Sequence, residues 1–372
     1  MKVSVRKENL KEGLFVVERA ISKSLTLPIL GNVLLFVEKN FLELAATDLE
    51  IGVRYRILAK TDEEGQVVAP AKALSQFVAL LPAASVALDA NEKSMEVSSG
   101  EYATKIKVLS PDEFPLIPLP KDEKYIELEA KTFCLGVNQV VGMAGTSQSR
   151  PEISGVFFSF GENQVRIAAT DSFRLGEKVL RLEAPQEERS FILPQRAARE
   201  LVSIFGEREG QIKTYFSPTQ VIFDYIANDP SQSRIQLVSR LIEGEYPRYR
   251  DIVPSRYKTR AVVDKNEFIN RIKIAGIFSG KTSEVRLEFQ PEKKGIAIFS
   301  QNTDIGEQHS FLSAEVTGEP MEAAFNWKFL LEGALGVEAN SLEMAMSAED
   351  GPAAFLPPAE EGYMYIIMPI RM

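Results

Sequence analysis

Four features of this chain carry residue types that could do chemistry: a glycine-rich loop, one histidine, one cysteine and a recurring aspartate. The loop GIFSGKT, residues 276–282, looks like a phosphate-binding loop. Three residues separate Gly276 from Gly280 where that motif needs four, and the loop follows a helical pattern instead of a strand. We therefore interpret Gly280 as the glycine that ends a helix, and the sequence argues against nucleotide binding.

Metal and nucleophile chemistry have equally little support. His309 is the only histidine and Cys134 the only cysteine, and no zinc or serine-hydrolase motif occurs. Cys134 lies among apolar residues, which indicates packing and not reactivity, and His309 lies in a predicted strand with no motif around it. We expect no catalytic residue, no metal site and no cofactor, and hence no enzyme.

The aspartates recur because a longer unit recurs. Asp48 follows the alternating run LELAAT, Asp171 follows VRIAAT, and Asp304 follows the degenerate copy GIAIFSQNT. Alternation predicts a strand, and the aspartate after it predicts a turn in which the side chain binds its own backbone. A catalytic cluster of the three carboxylates is the alternative interpretation. The sequence thus predicts a threefold internal repeat.

Two helices per repeat accompany these strands. Pro70 and Pro194 are expected just inside the start of the second helix of their repeats, and Asn326 is expected to cap that helix in the third. Strands come in runs between the helices, which predicts an α+β fold and not alternating β–α–β units. The predicted helices are 7–20, 71–81, 131–145, 195–206, 264–281 and 327–336.

Composition restricts the class of protein. The chain has 372 residues, 45% of them hydrophobic, and a net charge of −9, which opposes long-range attraction to nucleic acid. A single cysteine favours a reducing compartment. The lack of a signal-peptide pattern and of a membrane-length apolar run predicts a cytoplasmic protein.

Positive charge concentrates on the predicted helices, while the rest of the chain is acidic. A base follows Pro70, Pro194 and Asn326 by two residues in each case. These bases are Lys72, Arg196 and Lys328, and Arg271 and Lys273 add positive charge in the third repeat. Solvated bases on helix surfaces would give the same pattern. If the helices share one side, this basic face would bind a polyanion weakly, with strong salt dependence and no sequence preference.

Six motifs along the whole chain resemble one known family, the bacterial DNA polymerase sliding clamps, which are the beta subunits of the replicative DNA polymerase III holoenzyme. They are TLPILGNVLL (26–35) with ATDLE (46–50), ATDSFRL (169–175), EGEYPRYRDIVP (243–254), FNWKFLL (325–331) and YIIMPIRM (365–372). The resemblance implies three repeated clamp domains, at 1–121, 122–254 and 255–372, each with two helices packed on antiparallel sheets. It implies a head-to-tail ring dimer with helices lining the hole.

The resemblance also implies a function and its partners. A non-enzymatic clamp would encircle double-stranded DNA without sequence preference and tether the replicative polymerase for processive synthesis. Its other partners would be the ATPase that loads the clamp and the repair and replication proteins that carry a clamp-binding motif, and it would be nucleoid-associated. A repeat scaffold that binds only proteins, through a hydrophobic peptide cleft, is the alternative.

Site residues follow from the same resemblance. The DNA-facing bases would be the five named above. The subunit interface would comprise Lys105, Ile106 and Lys107 on one side and Ile277, Phe278 and Glu307 on the other. The partner-peptide cleft would comprise Ile153, Thr170, Phe173, Arg174, Leu175, Pro247, Ile252, Asn326, Phe329, Ile366, Ile367, Met368, Pro369 and Ile370.

Overall fold

A computed structural model describes residues 1–21, 27–82, 84–120, 124–147, 149–228, 234–358 and 362–370. The chain divides into two compact units, one made of residues 1–134 and 199–241 and the other of residues 135–198 and 242–372. The predicted domain boundary between 121 and 122 and the last two residues of YIIMPIRM lie outside the described residues. The division into three domains stays a prediction.

Six α-helices occur in the described residues, close to the predicted ranges. α1 shows why they form: Leu10, Leu14 and Val17 are buried, so one face of the helix is apolar at helical spacing. The helices are α1 (Lys7–Val17), α2 (Ala71–Leu80), α3 (Ala130–Val141), α4 (Gln195–Phe205), α5 (Lys265–Ile277) and α6 (Trp327–Gly336).

Strands provide most of the rest of the described chain. In the first repeat they are β1 (Lys2–Arg6), β2 (Asn32–Glu38), β3 (Phe41–Thr47), β4 (Ile51–Leu58), β5 (Lys60–Glu63), β6 (Gly65–Pro70), β7 (Ser85–Ala90), β8 (Ser94–Ser99) and β9 (Tyr102–Lys107). In the second they are β10 (Ile126–Glu129), β11 (Gly155–Thr170), β12 (Arg174–Pro194), β13 (Gly210–Phe216), β14 (Gln220–Ala227) and β15 (Arg234–Arg240). In the third they are β16 (Thr259–Asp264), β17 (Glu284–Gln290), β18 (Gly295–Asn302), β19 (Gly306–Ser313), β20 (Glu315–Gly318), β21 (Met321–Asn326), β22 (Ser341–Met346), β23 (Ala353–Leu356) and β24 (Tyr363–Ile367).

The first unit contains two antiparallel sheets. One has the order β5-β1-β7-β8-β9, and the other has the order β10-β13-β14-β15-β4-β3-β2-β6. The larger sheet combines strands of the first and second repeats, because β15 pairs with β4, with Leu237 opposite Val53. We call this pairing the first joint. Phe114 and Ile117, from the segment after β9, pack on the same sheet against Val238.

The second unit repeats this arrangement. Its sheets have the orders β11-β12-β24-β23-β22-β16-β20 and β19-β18-β17-β21. The second joint is the pairing of β24 with the start of β12, with Tyr365 opposite Gly176. The segment EYPRYRDIVP packs on this sheet through Tyr249, which contacts a cluster that includes Leu175 and Ile366. The predicted repeat is therefore confirmed in strand order and in packing.

The aspartate turns form as predicted in two repeats. Asp48 Oδ1 accepts hydrogen bonds from the backbone N–H groups of Glu50 and Ile51, at 3.1 and 2.8 Å. Leu49 adopts a φ of 78°, a left-handed conformation that such a turn requires. In the third repeat the acceptor is instead Asn302, whose Oδ1 binds the N–H of Asp304 at 2.9 Å, so the position predicted for the aspartate was wrong there.

The second helices begin slightly later than predicted. Pro70 and Pro194 end their strands, and the helices begin at the next residues, so both prolines precede the first turn instead of lying inside it. Asn326 caps α6 as expected, since its Oδ1 accepts from Lys328 N at 3.0 Å.

Two helices of the second unit meet at the only tryptophan. A Cβ added at Gly276 in α5 would come within 2.7–2.9 Å of the Trp327 ring, so glycine allows α6 to approach. α5 ends at Ile277 with Phe278 as its C-cap, so the interpretation of Gly280 as the glycine that ends this helix was wrong. Gly280, with a φ of 61°, lies in the turn between α5 and β17. The glycine-rich loop therefore has the helix-to-strand order that the sequence predicted, which does not suit a phosphate-binding loop.

Cys134 is packed inside the first unit. It is 1% exposed, and its Sγ lies 3.7 Å from the carbonyl oxygen of Leu201 in α4. Burial raises the pKa of the thiol to about 12. A thiol in this environment stays protonated at neutral pH, which agrees with the predicted structural role.

We expect the native protein to resist thiol alkylation at pH 8, because the thiolate is scarce and the sulfur is covered. In denaturant, one thiol per chain should react, as counted by mass spectrometry. The raised pKa favours the protonated folded state, so stability should fall as pH rises from about 9 toward 12. Rapid modification of the folded chain at pH 8 would contradict this.

Candidate binding cleft

The turn between β11 and β12 carries four of the predicted cleft residues. Asp171 Oδ1 accepts from the N–H groups of Phe173 and Arg174, both at 3.0 Å, and Thr170 Oγ1 accepts from Ser172 N at 3.1 Å. Ser172 has a φ of 78°. These bonds fix the tip of the turn, and they leave the Phe173 side chain 64% exposed.

Arg174 joins three elements. Its Nε donates to Asp171 Oδ2 at 3.0 Å, and its guanidinium also donates to Glu332 in α6 and to the carbonyl oxygen of Gly142 after α3. The guanidinium stacks on the Phe329 ring, 4.3 Å from its centroid. Arg174 therefore positions another predicted cleft residue, Phe329, and ties α6 to the turn.

The C-terminal segment extends the same edge. β24 places Ile366 opposite Leu175 and Ile367 opposite Arg174. The ladder continues when Met368 N donates to Phe173 O at 2.9 Å, and Ile370 N then donates to Ala324 O at 2.8 Å. The predicted residues of this segment therefore lie beside the turn and beside the start of α6.

Exposure divides the predicted cleft residues into a floor and an accessible surface. Ile153, Thr170, Leu175, Ile366 and Ile367 are buried. Phe173, Ile252 and Met368 are exposed, and the others are half-buried: Arg174, Pro247, Asn326, Phe329, Pro369 and Ile370. Met368 and Phe173 are joined by a backbone hydrogen bond, beside the buried pair Leu175 and Ile366. Exposed apolar side chains in such a place suit the apolar anchors of a short peptide.

A buried carboxylate holds the segment that carries Pro247 and Ile252. Glu177, which follows Leu175 by two residues on β12, is 4% exposed. Its Oε2 accepts from the Tyr249 hydroxyl at 2.5 Å, and both of its oxygens accept from Arg250, at 3.0 and 3.2 Å. Burial and this carboxylate raise the pKa of Tyr249, and the hydrogen bond to Glu177 raises the pKa of Arg250. This group was not predicted, because Glu177 stands next to Lys178 in the strand RLGEKVL, where a charged pair does not by itself indicate burial.

Three of the five predicted DNA-facing bases occupy equivalent positions in their repeats. Lys72, Arg196 and Lys328 are each the second residue of α2, α4 or α6, and all three are exposed. Arg271 and Lys273 lie in α5, where Arg271 is 4.0 Å from Glu267. A base in the first turn opposes the helix dipole, so these three side chains do not stabilise the starts of their helices through that dipole.

The predicted interface residues lie at sheet edges and at one helix end. Lys105, Ile106 and Lys107 belong to β9, and Glu307 belongs to β19. Ile277 ends α5 and is 64% exposed, while Phe278 follows it and is half-buried.

Two further exposed apolar side chains lie on helices and were not predicted. Leu80, at the end of α2, is 84% exposed, and Ile274, on α5, is 49% exposed. In the two later repeats the position of Leu80 holds Ile204, which is buried, and Gly336, whose carbonyl oxygen accepts from Gln139 of α3.

His309 occupies an exposed position beside an aromatic ring. His309 lies on β19, with its ring tilted by 47° against that of Phe299 and the two ring centroids 4.5 Å apart. Its Nε2 is 3.9 Å from Glu307 Oε1, and its side chain is 67% exposed. The residues that the structure describes contain no group of three or more histidine, cysteine or carboxylate side chains placed to hold a metal ion. Within the same ranges, no helix is both long enough and apolar enough to cross a membrane.

Comparison with known proteins gives consistent matches along the chain. Three family models match in succession: DNA polymerase III beta subunit, N-terminal domain, at residues 1–118; central domain, at 127–248; and C-terminal domain, at 250–371. A curated beta sliding clamp of Synechococcus elongatus is 28% identical over 383 residues, covering 100% of both chains. One of Staphylococcus aureus is 27% identical over 363 residues, covering 95% of this chain and 94% of that protein.

Solved structures are also similar. A DNA polymerase III beta subunit from Thermotoga maritima has a TM-score of 0.90 at 26% identity, covering 100% of this chain and 99% of that chain. A DNA polymerase sliding clamp from Bacillus subtilis has a TM-score of 0.93 at 24% identity with the same coverage, a likeness that concerns the fold alone.

We expect Glu177→Ala to lower the free energy of unfolding by about 2–3 kcal/mol, because the buried Tyr249 hydroxyl and Arg250 lose their acceptor. Denaturant unfolding followed by circular dichroism measures this. Glu183→Ala, an exposed glutamate on the same strand, is the matched control and should change it by less than about 0.5 kcal/mol. Equal effects of the two substitutions would contradict an anchoring role for Glu177.

Proposed function

Because this chain belongs to the DNA polymerase III beta subunit family of sliding clamps, we propose that it encircles duplex DNA and tethers the replicative polymerase. It is a processivity factor and not an enzyme. The observation that carries this proposal is the ordered match of all three family domains over nearly the whole chain. The clamp-loading ATPase and the repair and replication proteins with clamp-binding motifs are part of the proposal, as is a nucleoid-associated, cytoplasmic location.

We propose three clamp domains, at 1–121, 122–254 and 255–372, and a ring of two chains joined head to tail. The ranges of the three family matches support these boundaries. Identical head-to-tail contacts can close a ring with twofold symmetry. The interface would combine Lys105, Ile106 and Lys107 of one copy with Ile277, Phe278 and Glu307 of the other, and the exposed Leu80 and Ile274 extend its apolar part.

Topological linkage explains how a chain with a net charge of −9 can stay on DNA. A closed ring needs no strong attraction to phosphates. The bases at the starts of α2, α4 and α6, with Arg271 and Lys273, would supply a few weak contacts. Such contacts depend on salt and not on sequence, so they allow the ring to move along the duplex.

The exposed surface made of Phe173, Ile252 and Met368 is the proposed docking place for partner peptides. Buried apolar residues beneath it keep it rigid, and Arg174 holds the elements on either side. Apolar anchors in a rigid cleft contribute most of the affinity in contacts of this kind. The polymerase and the other partners would therefore compete for one cleft per chain.

The decisive experiment is retention on a nicked circular DNA after loading with a matched clamp loader and ATP. We expect the protein to stay bound in high salt, because a ring linked to a circle cannot leave it. Cutting the circle should release the protein.

Two outcomes would contradict the proposed clamp function. Retention that is unchanged after cutting would mean direct binding to DNA. No retention with an active loader, combined with intact peptide binding, would instead favour the protein-only scaffold.

We expect Phe173→Ala to weaken binding of a polymerase clamp-motif peptide by at least about tenfold, because an exposed aromatic anchor is lost. Fluorescence anisotropy of a labelled peptide measures this. Phe15→Ala, which removes a phenylalanine that is 59% exposed on α1, is the control and should leave peptide affinity unchanged. Equal losses of peptide affinity in both variants would contradict the proposed place of Phe173 in the cleft.

A further inference from the structure

One face of the sheet β19-β18-β17-β21 is open. Successive residues of a strand point to opposite faces, and one face of this sheet buries Leu287, Ile298 and Leu312. We call the opposite face the third outer face. It carries a cavity of about 600 Å³ that is lined by Arg286, Glu288, Phe299, His309, Phe311 and Glu322, among others.

In the first repeat the chain covers the corresponding face with its own residues 113–118. Phe114 and Ile117 pack there in a cluster that includes Ala45. Arg54 lies opposite Ala45 in the sheet, and its Nη2 donates to the carbonyl oxygen of Ile117 at 2.5 Å. An arginine of the sheet therefore holds the covering segment.

The second repeat covers its face with residues 245–254. The ring of Tyr246 stacks on that of Phe157, with the centroids 4.8 Å apart, and Tyr249 packs in a cluster that includes Ala168. Glu177 lies opposite Ala168 and accepts from the Tyr249 hydroxyl. A charged residue at one position of the sheet thus anchors the covering segment in both repeats.

Rows of residues that lie opposite one another identify the same position in the third repeat. Each row contains the residue three positions before the side chain that accepts in the turn, which is Ala45, Ala168 or Phe299. The carbonyl of the first residue of each row accepts a hydrogen bond from the chain after the last strand, at Leu109, Ile242 or Ile370. The rows are Val68–Leu34–Ala45–Arg54 in the first repeat, Ile192–Phe157 with Ala168–Glu177 in the second, and Ala324–Arg286–Phe299–His309 in the third.

His309 therefore occupies the position of Arg54 and Glu177. In the part of the chain that the structure describes, no segment lies over it, and its side chain is 67% exposed. Phe311, two residues further along the same face of β19, is 40% exposed. The third repeat thus has a polar residue at the anchoring position and an apolar surface beside it, without a covering segment.

We propose that the third outer face binds an extended segment of a partner protein, which contains an aromatic residue and at least one arginine or lysine. The segment would cross the strands as residues 113–118 and 245–254 do in their own repeats. This binding needs neither the ring nor the cleft around Phe173, so the inference goes beyond the proposed function.

The side chains of this face suit an aromatic residue of the partner. Arg286 occupies the position of Phe157, which carries a stacked tyrosine in the second repeat, and its guanidinium lies 5.8 Å from the centroid of Phe299. An aromatic ring above this guanidinium would make a cation–π contact. Gly295 allows the Phe311 ring to lie against the sheet, since a Cβ there would come within 2.2 Å of the ring.

Glutamates give the same face a negative charge. Glu288 and Glu322 lie directly opposite each other on β17 and β21, and like charges in that relation repel. Arg286 is 3.2 Å from Glu322, whereas Glu288 is exposed and has no ion-pair partner among the described residues. Glu284 and Glu307 add two carboxylates to this face. A basic side chain of the partner would relieve the repulsion, so the segment is basic and not acidic.

Two hexapeptides taken from this chain serve as probes. EYPRYR (245–250) has one glutamate and two arginines, and EFPLIP (113–118) has the same order of glutamate, aromatic residue and proline but no base. With capped ends and a neutral dansyl label, both are titrated with the full chain by fluorescence anisotropy. We expect saturable binding of EYPRYR, with a Kd at least about tenfold lower than that of EFPLIP, because only EYPRYR offers a cation to Glu288.

Two charge reversals localise the binding. Glu288→Lys, on the third outer face, should weaken the binding of EYPRYR by at least about tenfold. Glu315→Lys changes an exposed glutamate on β20, in the other sheet, by the same charge and should leave the Kd unchanged. Phe173→Ala, in the proposed cleft, should also leave it unchanged. Circular dichroism checks that the three variants are folded.

Photo-cross-linking tests the same inference on the unsubstituted protein. A benzophenone amino acid replaces the first tyrosine of EYPRYR, and the cross-linked fragments are identified by mass spectrometry after irradiation and trypsin digestion. We expect the cross-linked residues to lie in β17, β18 or β19.

Three results would overturn the inference. They are the absence of saturable EYPRYR binding up to about 1 mM, equal effects of Glu288→Lys and Glu315→Lys, and cross-links confined to the proposed cleft. A change in the sedimentation of the peptide-free protein caused by Glu288→Lys would show that a second copy covers this face, which would also contradict a partner protein. Retention on circular DNA tests the proposed function separately, since none of these results depends on it.

Discussion

Unpaired backbone at the edges of sheets is the constraint on which the rest of the structure depends. A strand at an edge presents free N–H and C=O groups that must find a partner or water. This chain solves the problem twice in the same way, by pairing the last strand of one repeat with the strand that follows the turn of the repeat before it. Each joint makes one continuous sheet from two repeats. The repeats are therefore linked by main-chain hydrogen bonds as well as by the covalent chain.

The candidate cleft is a product of the second joint. The pairing of β12 with β24 brings the turn that carries Phe173 beside the C-terminal segment, and Met368 extends the ladder by one more bond. Charged side chains then hold the neighbouring elements that take no part in this strand pairing. Arg174 holds α6 and the end of α3, and Glu177 holds the segment around Tyr249. Rigid polar contacts thus surround an apolar surface that is left open.

The sequence predicted local features well and distant ones poorly. Helix positions and the repeat followed from patterns within a few residues, and Asp48 and Asp171 make the turns expected of them. The two joints were not predicted, because β4 and β15 are far apart in the chain and strand pairing leaves no periodic signal between distant segments. Glu177 was missed for a related reason, since its partners Tyr249 and Arg250 come from a different segment. The cleft residues were predicted only from the resemblance to the family, and the structure shows which of them are exposed.

The close contact between Gly276 and Trp327 gives the molecule an intrinsic optical reporter. Trp327 is the only tryptophan of the chain, so all indole emission originates from this one place. Its neighbours in sequence are Asn326 and, two residues on, Phe329 of the cleft, while Gly276 is followed by Ile277 and Phe278. The fluorophore therefore reports on the contact between α5 and α6. Separation of these two helices can be followed in the unlabelled protein by the wavelength of the indole emission.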